Sequence, residues 1–195
     1  MERQVKQAII LLAVSLMVLG LPVEPLPAAE ESEILQERYR VREVGQDALS
    51  TLYEIQPGAR YVVEQAAGYG VFSTFGIKIF FAGGTTGKGF VHNNRTKRYT
   101  YMRMVQVQGG LGFGASKDRI IWIFETHKAL ADFINSGWDF GGKAQAAAMV
   151  QDKGGMFSGA VSVAPGVYLY QLTSTGLAAE LTVSGTKYFK DNELN

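Results

Sequence analysis

Residues 82–92 read AGGTTGKGFVH, a glycine-rich run that holds a lysine and follows the apolar stretch Ile77–Phe81. Such a run can cradle phosphate, because backbone N–H groups close around the anion and the lysine neutralises it. A nucleotide loop of this kind needs Gly, four residues, then Gly-Lys-Ser/Thr, whose hydroxyl holds magnesium. Here Gly89 follows Gly87-Lys88, so the hydroxyl is missing, and Ala82 stands five before Gly87 where glycine is required. FVHNN then continues as a strand, where a helix N-terminus would have to receive the phosphate. The stretch therefore reads as a hairpin between two strands, and no nucleotide is expected.

The other chemical candidates are thinner. Gly110-Leu111-Gly112-Phe113-Gly114-Ala115 has the spacing of a dinucleotide fingerprint, but SKDRIIWIF after it is a turn and a strand. Three glycines at alternate positions instead leave one strand face bare for another element to approach. The two histidines, His92 and His127, have no partner at metal-ligand spacing and no nucleophile beside them, so neither metal, cofactor nor catalysis is expected. There is no cysteine, which excludes disulfides and thiolate sites. The basic residues offer more. Arg95, Lys97 and Arg98 fall in one polar turn, Lys117 and Arg119 in a second, and Lys78 and Lys88 flank the glycine hairpin. If these turns share an edge, they form a cationic rim suited to lipid headgroup phosphates.

These residues are positioned by helices first and strands after. Glu30–Ile55 places Ile34, Val41, Val44, Ala48 and Leu52 on one helical stripe, with Gly45 weakening its middle. Pro57 separates it from a short helix over 58–67. Residues 68–82 are apolar, aromatic and β-branched, and 98–108 alternate with period two. Ile120–Phe124 reads as a buried strand, and Thr126 caps a helix ending at Asn135, before Gly137. Further strands are expected near 143–150, 158–163, 166–173 and 177–189, with turns at 116–119, 152–155, 165–166 and 174–176. The fold class is α+β: N-terminal helices, then a twisted, largely antiparallel sheet or partial barrel with one crossing helix.

The N-terminus points to export. Arg3 and Lys6 precede the uncharged apolar run Ala8–Leu21, and small residues follow at Ala28 and Ala29. That is the order of a secretory signal peptide over 1–29, and the run is short for a membrane-spanning helix of about 20 residues. Residues 30–57 then form an amphipathic helix and 58–195 the main domain, in a periplasmic or cell-surface protein. The whole-chain net charge of +1 argues against nucleic acid as a partner.

Five stretches in order resemble the SYLF domain: AAGYGVF with the aromatic run after it, GGTTGKGFV, GGLGFGAS with IIWIF, ETHKALADFINSGWDFGG, and VYLYQLTSTGLAAELTVSGTKYFKDNE. That family is lipid-binding and includes yeast actin-associated members. Ser73 stands after Phe72 where the family often has proline, and Ser184-Gly185 where Glu-Gly is common. The resemblance implies a non-catalytic module for phospholipid or a membrane surface. Actin does not fit behind a secretory signal. Lys78, Lys88, Arg95, Lys97, Arg98, Lys117 and Arg119 are the headgroup candidates, and Phe75, Phe80, Phe81, Phe113 and Trp138 the apolar ones. The rival reading is an envelope protein that pairs through its strand edges with a protein partner.

Overall fold

A computed structural model describes residues 27–139, 157–178 and 185–195 of the chain. The chain divides into two compact units, Met1–Ile34 and Leu35–Asn195. Of the first, the described part is the opening of helix α1, Pro27–Ile55. The second carries the rest of α1, helix α2 (Gly58–Gln65), and the long strands β1 (Gly68–Asn93) and β2 (Tyr99–Phe124). Helix α3 (His127–Ser136) and strands β3 (Trp138–Asp139), β4 (Val161–Ala164), β5 (Val167–Thr173), β6 (Gly176–Leu177) and β7 (Thr186–Lys190) follow. The class is α+β with an antiparallel sheet, as the sequence predicts. Among the described residues no helix is long and apolar enough to cross a membrane.

β1 and β2 run to 26 residues each, far beyond the ordinary strand of roughly 3–10. They pair antiparallel from Gly68 opposite Phe124 to His92 opposite Tyr99, with one register shift between Phe80 and Ala82. The ribbon curls back on itself into a half-barrel. A Cβ on Gly87 would lie 3.0 Å from the Ser73 carbonyl oxygen, and one on Gly89 would fall on the Val71 carbonyl oxygen. The two halves of one strand thus face each other at backbone distance. β2 is the hub: β1 lies along one edge, and the other edge holds β7 at Met102–Gln106 and β5 at Arg119–Phe124.

This arrangement corrects several expectations. Residues 82–92 are not a hairpin turn but the second half of β1, and 116–119 are not a turn but lie in β2 opposite Gly76–Ser73. The tight turn is at 93–98, where the Asn93 carboxamide oxygen accepts from the backbone N–H of Arg95 and Thr96, and Lys97 takes a positive φ of 56°. Asn94 turns back and donates to the carbonyls of Val63 and Ala66, closing the end of α2. α1 runs unbroken through Gly45, whose missing Cβ leaves the space that the Phe90 ring occupies. At Gly114 no atom of the described residues lies within 4 Å of an added Cβ, so the expected close approach is not found there, while the surroundings of Gly110 and Gly112 lie outside the described residues. The expected strand near 143–150 and turn at 152–155 lie outside the described residues.

The core fills the half of the barrel next to α3. Phe72, Trp122, Phe124, Phe133 and Tyr188 are all fully or almost fully buried. The Tyr188 ring stands edge-on to Phe72 at 4.8 Å and to Trp122 at 5.2 Å. The Thr126 hydroxyl accepts from the Ala129 N–H at the start of α3, which aims Leu130 and Phe133 into this cluster.

Candidate functional site

Polarity reverses along the ribbon. Near α3 the inward face carries Phe72, Trp122, Met102 and Met104. Toward the bend the same inward face carries Thr74, Thr85, Gln106, Asp118 and Thr186, around an interior cavity of about 120 Å³ that Gln171 also lines. Burial pushes the Asp118 carboxyl above its ordinary pKa, and hydrogen bonds from the Ser116 and Gln171 side chains oppose the rise. The outward face does the opposite. Phe75, Ile77 and Ile79 alternate along β1 and are 44%, 49% and 57% exposed, while Val105 and Val107 on β2 are 43% and 74% exposed. A sheet in water normally hides its apolar face and shows its polar one. Here, among the described residues, an exposed row of apolar side chains stands outside the bend end, with Lys88 and Lys117 on the same face, and polar side chains stand within.

Beside this row lies a groove of about 410 Å³ between α1 and the ribbon. The helix offers Glu37, Arg40, Val41 and Val44, which recur at helical spacing on one face. The ribbon offers Val71, Phe75, Lys88 and Lys117. Lys117 lies opposite Phe75 in the β1–β2 register, and the curl brings Lys88 to the same place from the other half of β1. The Glu37 carboxylate accepts from Lys88 Nζ at 2.7 Å and from Arg40 at 2.8 Å. Lys117 has no ion-pair partner among the described residues. Three cations and one carboxylate therefore line a groove whose other walls are valines, Phe75, two glycines and the hydroxyl residues Ser73, Thr74 and Thr86.

The remaining candidates are dispersed. Arg98 lines a second hollow of about 360 Å³ with Arg38, Tyr99, Tyr101 and Lys190, where Arg38 also donates to the Leu194 carbonyl. Arg95 and Lys97 are exposed in the 93–98 turn, and Arg119 is exposed on β2 opposite Ser73. The described basic residues thus form separate groups instead of one rim. Trp138 packs on Trp122 at 5.8 Å and Phe133 at 6.1 Å, at the border of the core. Lys78, Phe80, Phe81 and Phe113 fall beside the bend, and their side chains lie outside the described residues. Ile77, Ile79, Val105, Val107 and Arg40 escape sequence reasoning. On a strand, alternating Ile reads as core.

His92 is structural. It is buried among Tyr69 and Tyr99, with Nδ1 3.0 Å from the Asn94 carboxamide oxygen. Burial holds its pKa below the ordinary 6.5; the Asn94 hydrogen bond opposes this and the Lys97 charge adds to it. The unfolded chain therefore binds more protons between the two pKa values, so stability falls as pH drops through about 6.5, until the folded ring itself protonates. Replacing His92 by Gln is expected to flatten the urea-unfolding midpoint between about pH 7.5 and 5.5. An unchanged slope would assign it to other groups.

No family model matches the chain. It is similar to the Beta cell expansion factor A of Aeromonas veronii, at 26% identity over 164 residues, covering 80% of this chain and 58% of that protein. The chain thus matches less than two thirds of that relative's length.

Proposed function

We propose that this protein binds lipid and catalyses no reaction: the apolar outer rows at the bend of the ribbon enter a phospholipid surface, and lysines beside them meet headgroup phosphates. The observation that carries this reading is the reversal of polarity at the bend, with Phe75, Ile77 and Ile79 outward and Thr74, Thr85 and Gln106 inward. In water such a row is a cost; in the headgroup boundary each exposed side chain gains on the order of 1 kcal/mol. Lys88 and Lys117 lie where a cation would reach a phosphate once the row is seated. The five stretches that resemble the SYLF domain support the same reading, and the N-terminal export pattern supports a lipid of the cell envelope.

Flotation of the chain with vesicles tests it. Binding is expected to rise with the anionic lipid fraction and to weaken with salt, because the lysines act through screened charge. Absence from the vesicle fraction at every composition would overturn the reading. Recovery of one stoichiometric protein partner instead would favour pairing through strand edges.

A further inference from the structure

The groove between α1 and the ribbon has features that a surface contact does not need. It is concave, and its volume of about 410 Å³ falls in the range of roughly 300–1,000 Å³ typical of small-molecule sites. Its lining is mixed: Val41, Val44, Val71 and Phe75 supply apolar surface, Ser73, Thr74 and Thr86 supply hydroxyls, and charged side chains complete it. Those charges are unequal: Arg40, Lys88 and Lys117 against Glu37 alone. Glu37 takes up Lys88 and Arg40, while Lys117 has no ion-pair partner among the described residues. The groove is therefore complementary to one apolar chain that ends in an anion.

We infer that this groove holds a single-chain anionic lipid, its chain along Val41, Val44, Val71 and Phe75 and its carboxylate or phosphate on Lys117 and Lys88, with Glu37 as the internal anion it must displace. This rests on the lipid-binding reading and adds a ligand class and a competitor to it. Glu37 holds Lys88 and Arg40 in place before the ligand arrives. It also sets the affinity, because the incoming head must exchange with a carboxylate already seated at 2.7 Å. Removing its charge should strengthen binding, the reverse of what removal of a direct contact does.

The test is titration calorimetry of the full chain with laurate, dodecyl phosphate, dodecanol, dodecyltrimethylammonium and butyrate, each below its micelle concentration. Laurate or dodecyl phosphate is expected to bind, and comparing the two identifies the head. Dodecanol, the cation and butyrate are expected to bind at least about tenfold more weakly, since each lacks either the anion or the chain. Glu37→Gln should tighten the anion about threefold or more, and Lys117→Glu should weaken it by a similar factor. Equal binding of the anion, the alcohol and the cation would overturn the inference, as would weaker binding in Glu37→Gln. Vesicle flotation of the same preparation separates the two claims. Flotation without laurate or dodecyl phosphate binding refutes the groove ligand and leaves the surface reading standing; loss of both refutes both.

Discussion

Replacing Phe75, Ile77 and Ile79 together by serine is expected to lower vesicle affinity about a hundredfold while leaving the fold intact. The three side chains are roughly half exposed, so each loses little in the folded chain in water, within about 0.5 kcal/mol. Seated in lipid, each would bury the exposed part of a side chain whose full burial contributes about 1.5–3 kcal/mol. Half of that, summed over three, is roughly 3 kcal/mol, or about two decades of affinity. The wild type and the variant share the apolar run at 8–21, so any difference between them in flotation belongs to the row. Equal flotation would remove the row from the lipid contact.

Gly89→Ala is expected to destabilise the protein by about 3 kcal/mol or more, enough to leave a small domain substantially unfolded. The added methyl would fall on the Val71 carbonyl oxygen and 2.8 Å from the Phe72 Cα, and both obstacles are backbone. Backbone cannot rotate out of the way as a side-chain tip can, so the two halves of the ribbon would have to separate. Gly84→Ala is the control, because the nearest atom to its added Cβ is 3.8 Å away. Urea unfolding of both should give a large loss for Gly89→Ala and a small one for Gly84→Ala. Similar losses would mean that the curl is not held by close backbone approach.

These glycines also explain what sequence could and could not reveal. The helices were legible from their periodicity, Pro57 and the Thr126 cap, and so was the buried strand at 120–124. Residues 82–92 misled because clustered glycines are the usual sign of a turn. Gly87 and Gly89 alternate with Lys88 and Phe90, however, and that G-x-G spacing is the mark of a strand with one bare face. Residues 116–119 misled because a polar run reads as a loop. Asp118 is polar because it lines the inside of the bend, and Ser116 because it hydrogen-bonds Asp118. The meeting of Lys88 with Lys117 depends on a curl that folds one strand against itself, and no local pattern reports it. Phe75 could be named from its aromatic context, whereas Ile77 and Ile79 could not, because the assumption that apolar strand positions face the core fails at this end of the sheet.

The lipid-binding reading requires that the bend of the ribbon, and not its hairpin turn, enters the lipid. The chain has no cysteine, so a single fluorophore can be placed on Ile79→Cys at the bend or on Thr96→Cys in the 93–98 turn, both exposed positions. Vesicles with brominated acyl chains are expected to quench the label at 79 and to leave the label at 96 unquenched. Quenching at 96 without quenching at 79, or at neither position in a bound protein, would contradict it.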